Sequence, residues 1–153
     1  MVRTRHTLYA LVAALAIATV ACSSTSSSTS AGSTSSSTSD GSTGASVAAT
    51  VKDYEVIIDP TSVAAGEVNF AITNEGPETH EFVVLQTDTA PEALTVEDGI
   101  VPEEGITVAG EVEDIAPGTE ANLTLTLEAG PYVIICNIEG HYEQGMHTSL
   151  TVT

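Results

Sequence analysis

The feature that most constrains the fold is a series of short runs rich in Val, Ile, Thr and aromatic residues between residues 47 and 153. Most of these runs alternate apolar and polar residues with a period of two, and Gly, Pro, Asn or Asp bounds them, as is typical of β-strands. In NLTLTLE, for example, Leu123, Leu125 and Leu127 face one way and the threonines between them face the other. About seven to eight such strands predict an all-β domain built as a two-sheet β-sandwich.

Two segments depart from this alternation. The run YVIIC, residues 132–136, is apolar on both faces, which predicts a strand in the middle of a packed sheet. Within it, Tyr132 and Ile134 share a face with Cys136 and are expected in the core. The segment APEALTVEDG, residues 90–99, is the one plausible helix and is also compatible with a loop.

The N-terminal part of the chain predicts an export signal followed by a tether. Residues 1–21 carry two arginines and then an apolar stretch too short to span a bilayer comfortably. The stretch ends in TVAC, which resembles a bacterial lipobox and predicts lipidation of Cys22; ordinary signal cleavage and an uncleaved anchor are the alternatives. Residues 22–46 are almost purely Ser, Thr and Gly and predict a flexible tether. We therefore expect residues 47–153 to form one domain held by lipid at the outer face of the cell membrane.

The stretch CNIEGHYEQGMH, residues 136–147, concentrates soft metal ligands. If Cys22 is lipidated, Cys136 has no disulfide partner, so its free thiol is explained either by metal ligation or by inert burial. Thiolate and thioether prefer Cu(I), and imidazole accepts both copper states, so Cys136, His141 and Met146 at the spacing Cys-x4-His-x4-Met favour one copper ion. The second imidazole is assigned to His80, which follows a Gly-Pro turn, because the His147 side chain points away from that of Met146 in extended chain.

These residues also carry a resemblance to a known family. The segment NEGPETHEF, followed by GPYVIICNIEGHYEQGM, resembles the plastocyanin/azurin family of cupredoxins, and the long ligand loop is most similar to rusticyanin- and sulfocyanin-like members. The resemblance covers residues 47–153 and implies a Greek-key sandwich with a type 1 (blue) copper site. It implies strong equatorial ligation by His80, Cys136 and His141 and weak axial ligation by Met146. It also implies that the edge of the His141 ring lies at the surface and serves as the electron port.

The loop differs from the family pattern in its charges. Glu139 and Glu143 stand where the resemblance implies an apolar surround for the port, which changes the expected docking mode. Gln144 is an alternative axial ligand, although it lies two residues earlier than Met146. A backbone N–H at Glu81 or Asn137 is expected to donate a hydrogen bond to the thiolate and tune its potential.

The charge of the chain restricts its partners. The formal net charge is −18, and two of the three basic residues lie in the predicted signal, which leaves Lys52 against 21 acids. Like charges repel, so nucleic acid and anionic lipid headgroups are poor partners. A partner with a basic patch fits better, although an acidic surface also serves solubility alone.

The combined sequence features favour a monomeric one-electron carrier and not an enzyme. The expected partners are extracytoplasmic redox proteins, such as a basic cytochrome or a membrane oxidoreductase. The alternative is a copper storage, chaperone or sensor module, which a cluster of additional Met or His residues would favour; the only methionines are Met1 and Met146. A copper oxidase or nitrite reductase would need further ligands such as His-x-His pairs, and a two-copper centre would need a second cysteine in the loop.

Overall fold

Two facing β-sheets account for most of residues 44–153, the part of the chain that the structure, a computed structural model, describes. These residues form nine strands: β1 (Ala45–Lys52), β2 (Glu55–Asp59), β3 (Ser62–Val63), β4 (Gly66–Asn74), β5 (His80–Gln86), β6 (Thr107–Ile115), β7 (Glu120–Leu127), β8 (Gly130–Ile135) and β9 (His147–Val152). One sheet has the order β2-β1-β4-β7 and the other β3-β9-β8-β5-β6. The predicted all-β, two-sheet sandwich is confirmed. The predicted signal peptide, Cys22 and most of the predicted tether lie outside the described residues.

The strand boundaries differ from the sequence prediction in three places. The run VKDYEVIID is not one strand, because a turn at Asp53 and Tyr54 separates β1 from β2, which pair antiparallel. This turn and the two-residue β3 bring the strand count to nine instead of seven to eight. β1 also begins at Ala45, two residues inside the segment predicted as a tether. The segment 90–99 is mostly loop, with a single 3-10 turn at Pro91–Ala93.

The main core lies between the two sheets. Its centre contains the rings of Phe70 from β4 and Phe82 from β5, whose centroids are 5.4 Å apart and which are both fully buried. The predicted alternation in β7 is confirmed, since Leu127 is buried and Leu123 and Leu125 pack against the core while the threonines between them are exposed. Burial of such side chains supplies the main stabilisation of a sandwich of this size.

A second core explains why β8 is apolar on both faces. Tyr132, Ile134 and Cys136 join the main core, whereas Val133 and Ile135 face the opposite side. There they pack with residues from the long connection between β5 and β6 and from the ligand loop; the other buried members are Val83, Leu85, Leu94, Val101 and Tyr142. The strand runs between β9 and β5, so the prediction of a central strand is confirmed. Within residues 44–153, no helix has the length and apolar character needed to cross a membrane.

Candidate metal centre

The pairing of β5 with β8 brings two of the predicted ligands together. The strands are antiparallel, so the beginning of β5 lies beside the end of β8. His80 is the first residue of β5, and Cys136 directly follows β8. The Cys136 Sγ lies 3.8 Å from the His80 Nδ1. The strand register of the five-stranded sheet therefore brings His80 and Cys136 into contact.

The loop that leads from β8 to β9 returns His141 to the same point. The Cys136 Sγ lies 3.4 Å from the His141 Nδ1, and the potential ligand atoms of His80, Cys136 and His141 all lie within 4.8 Å of one another. The Cys136 N–H donates to the Met146 carbonyl at 3.0 Å, and the Met146 N–H donates to the His141 carbonyl at 3.2 Å. Gly145, at φ 112°, adopts the left-handed conformation that this tight closure requires.

The structure distinguishes among the remaining candidate ligands. Met146 is fully buried, and its backbone is bonded to both Cys136 and His141. Gln144 is exposed, and its side-chain amide donates to the carbonyl of Gly140 within the loop. His147 lies in β9 with its ring against Tyr142, at a centroid distance of 5.1 Å. The cluster therefore contains His80 and not His147, and it does not draw on Gln144.

The loop is held from outside by the connection between β5 and β6, residues 87–106. The Tyr142 hydroxyl donates to the Pro91 carbonyl at 2.6 Å and accepts from the Leu94 N–H at 3.0 Å. The Gly140 N–H donates to the Gly99 carbonyl at 2.8 Å. Through these contacts the second core and the ligand loop become one packed unit. Sequence reasoning missed this role of the connection, since nothing in its composition marks it as a partner of the loop.

The surroundings of the Cys136 thiol include one feature that opposes its ionisation and others that favour it. Burial raises the pKa of Cys136, and hydrogen bonds from the backbone N–H groups of Glu81 and Ile138 lower it in part. The Glu81 N–H donates to Sγ at 3.3 Å, as the sequence predicted. The second backbone donor is Ile138. The side-chain amide of Asn137 bonds the backbone of Val101 in both directions, at 2.8 and 3.0 Å. Two donors prepare the sulfur for negative charge, which a bound cation would stabilise.

The two imidazoles are placed among acidic side chains that the sequence did not single out. The His80 Nε2 lies 2.9 Å from the Asp53 Oδ1, and the His141 Nε2 lies 3.5 Å from the Glu78 Oε2. Burial and the neighbouring His80 lower the pKa of His141, although the charges of Glu78 and Asp53 oppose the shift. A lowered pKa favours the neutral imidazole, which is the form that binds metals.

The donor set fits one copper ion. Thiolate and imidazole bonds to a first-row metal of about 2.3 and about 2.0 Å, set at a trigonal angle, separate sulfur from nitrogen by about 3.7 Å. The observed separations from Cys136 are 3.8 Å to His80 and 3.4 Å to His141. One thiolate, two imidazoles and a neighbouring thioether are the ligand types of a blue copper centre.

Solvent reaches the cluster at one residue. His80, Cys136 and Met146 are fully buried, whereas His141 remains 7% exposed. The ring of Tyr54 meets the His141 ring edge-on at 5.2 Å, and the half-exposed Glu78 lies beside it. His141 is thus the point at which the centre approaches the surface.

Comparison with known proteins agrees with this geometry. The family model described as the sulfocyanin (SoxE) domain matches residues 17–153. The structure of auracyanin A, a blue copper protein from Chloroflexus aurantiacus, is similar at 20% identity and a TM-score of 0.53, over 72% of this chain and 99% of that one. Rusticyanin from Thiobacillus ferrooxidans is similar at 17% identity and a TM-score of 0.51, over 74% and 79% of the two chains. At these identities the structural likeness shows the fold alone. No curated protein matches the sequence.

The contacts of Tyr142 predict that the outer connection stiffens the ligand loop. Tyr142→Phe removes the hydroxyl that joins Pro91 and Leu94 and leaves the buried Leu94 N–H without its acceptor, at a cost of about 1–3 kcal/mol in the free energy of unfolding. Amide hydrogen exchange should accelerate at Met146. Tyr132→Phe is the matched control, since it also removes a hydroxyl bonded to a carbonyl, that of Glu128, but lies outside the loop. Equal exchange at Met146 in the two variants would contradict a stiffening role.

Proposed function

The chain belongs to the sulfocyanin family of blue copper cupredoxins, and from this premise we propose that it carries single electrons between extracytoplasmic redox partners. The observation that supports this proposal most is the buried cluster of one thiol and two imidazoles, which approaches solvent only at His141. Copper is the cofactor for which this donor set is suited.

We assign His80 Nδ1, Cys136 Sγ and His141 Nδ1 as the atoms that would hold copper most strongly, with Met146 as a weaker fourth donor. The two ring nitrogens of the assignment are the ones that face the sulfur at 3.8 and 3.4 Å. When bound, copper supplies a centre that alternates between Cu(I) and Cu(II). The residues hold their positions through the sheet register and the loop hydrogen bonds, so the same donor arrangement would serve both oxidation states.

The surroundings of the cluster support a carrier in preference to an enzyme. Three of the four assigned ligands are fully buried, so they exclude water and leave no room for a substrate beside the sulfur. An open groove of about 730 Å³ lies nearby, next to Asn137, but none of the four ligands lines it. Direct catalysis at the centre would need an open coordination position that substrate can reach.

The surface around His141 supports a cationic partner. Glu78, Glu139 and Glu143 are exposed on the segments that flank the centre. Lys52 is the only Lys or Arg between residues 44 and 153, and it is paired with Glu55 at 3.2 Å. A cytochrome or membrane oxidoreductase with a basic patch would be attracted to such a face. We expect the protein to be a monomer, a state that suits transient docking to such a partner.

The proposed location is the outer face of the cell membrane. It rests on the lipobox-like TVAC and on the Ser/Thr/Gly-rich segment, which would connect a lipid on Cys22 to the domain. In cells that express the full chain, we expect the protein in the membrane fraction and Cys22→Ser in the soluble extracytoplasmic fraction. Membrane association that persists in this variant would contradict the lipid anchor.

The ligand assignment predicts distinct spectra for single variants. Cys136→Ser should abolish the intense blue charge-transfer band, since the band requires the thiolate. His141→Gly should also lose it, and added imidazole should restore it by occupying the vacated position. Met146→Leu should keep the band with altered parameters and raise the reduction potential, because a weak donor to Cu(II) is lost. His147→Gly is the matched control and should keep the blue band, since His147 lies outside the cluster. Unchanged spectra in both His141→Gly and Met146→Leu would show the assignment to be wrong.

The carrier function predicts electron transfer that depends on salt. Reduced, copper-loaded protein mixed with an oxidised basic cytochrome should transfer one electron, and the rate constant should fall about tenfold or more between about 0.01 and about 0.15 M ionic strength. An uncharged redox reagent is the control and should show little dependence. A flat dependence with the cytochrome would remove the guiding role of the acids. Loss of Cu(I) to a chelator faster than electron transfer would favour the storage or trafficking alternative.

A further inference from the structure

One carboxylate reaches the metal centre from the opposite sheet. Asp53 lies in the turn between β1 and β2, strands of the four-stranded sheet, whereas His80 begins β5 in the five-stranded sheet. The Asp53 Oδ1 is nevertheless 2.9 Å from the His80 Nε2. The His80 side chain is fully buried and the Asp53 side chain is 21% exposed. The two sheets therefore meet in this hydrogen bond at the edge of the cluster.

This contact determines which nitrogen of His80 faces the sulfur. An ionised carboxylate only accepts hydrogen bonds, so the proton of a neutral His80 ring lies on Nε2. Nδ1 is then left with its lone pair, and this is the atom 3.8 Å from the Cys136 Sγ. A carboxylate that accepts from the distal nitrogen of a metal-binding histidine fixes the orientation of the ring and raises its basicity.

The backbone beside Asp53 and His80 leaves room for the contact between their side chains. A Cβ at Gly76 would lie 2.7 Å from the Asp53 Oδ1 and 3.0 Å from the His80 Nε2, so glycine is required at this buried position. The fully buried Asn74 holds the segment in place, because its Oδ1 accepts from the Gly76 N–H at 2.8 Å and its Nδ2 donates to the carbonyls of Glu78 and Ile115, both at 2.8 Å. The required glycine and the buried hydrogen bonds of Asn74 distinguish the Asp53–His80 pair from a chance surface contact.

We infer that Asp53 is a positioning residue of the copper centre: it directs Nδ1 of His80 towards Cys136, and its negative charge favours Cu(II) over Cu(I) and lowers the reduction potential. The inference rests on the copper site of the proposed function and not on the identity of its redox partners. A negative charge one imidazole away from the metal stabilises the higher metal charge more than the lower one.

The test compares variants of Asp53 in the full-length, copper-loaded chain. Asp53→Asn keeps the size and a carbonyl acceptor but removes the charge, and Asp53→Ala removes both. Loss of an outer partner of this kind costs about 10–100-fold in metal affinity. We expect the Cu(II) affinity of Asp53→Asn to fall about tenfold relative to its Cu(I) affinity, which raises the potential by about 59 mV. Asp53→Ala should give a larger loss of Cu(II) affinity, and long-range ¹H–¹⁵N spectra of its Cu(I) form should show that Nε2 of His80 has lost its fixed proton.

Asp88→Asn is the matched control, since Asp88 is exposed just beyond the opposite end of β5 and the variant makes the same change in net charge. Thermal unfolding of each variant separates a general loss of stability from an effect on the metal. A potential for Asp53→Asn equal to that of Asp88→Asn would overturn the inference, whatever the change in stability. Absence of a reversible copper wave in the unsubstituted protein would instead overturn the proposed function.

Discussion

The position of the Cys136 thiol is the constraint on which the rest of the site depends. The residue follows a strand buried on both faces, and its N–H is bonded to the Met146 carbonyl, so its backbone is fixed from β8 and from the ligand loop at once. The Glu81 N–H then donates to the sulfur from the neighbouring strand. The sulfur is thus in a fully buried side chain and also accepts a hydrogen bond that favours its negative charge. Burial disfavours ionisation of the thiol, and binding of a metal that prefers thiolate would offset this cost.

Two segments bring the remaining donors to that sulfur, and a third segment holds one of them in place. The sheet register places His80, the loop closure places His141 and Met146, and the outer connection holds the loop against the second core. These contacts hold the four side chains in place through the protein's own backbone and packing. A donor set held in this way would suit the proposed transfer of a single electron. Among the four side chains only His141 is partly exposed, so the cluster approaches the surface there.

The sequence was sufficient to predict which side chains the fold brings together as candidate ligands, and insufficient to predict the groups that surround them. His80, Cys136 and His141 were predicted from residue chemistry, order and spacing, and the two-sided apolar character of β8 predicted its central position. The contact of Asp53 with His80 joins residues 27 apart in sequence and depends on how the two sheets pack, and nothing distinguishes Asp53 among 21 acids before that packing is known. The backbone donation by Ile138, which the sequence did not single out, likewise depends on the direction in which the loop leaves the strand.

The central claim is the proposal that one set of donors, held by the fold, would serve both oxidation states of a single copper ion. X-ray absorption at the copper edge of the full-length protein, recorded oxidised and then reduced, tests it most directly. The account predicts one short sulfur and two imidazole nitrogen ligands in both states, with distances that agree within about 0.2 Å. A spectrum without a short sulfur ligand would contradict the role of Cys136. A change in the number of strong ligands between the two states would contradict the claim that the fold holds the site ready for electron transfer.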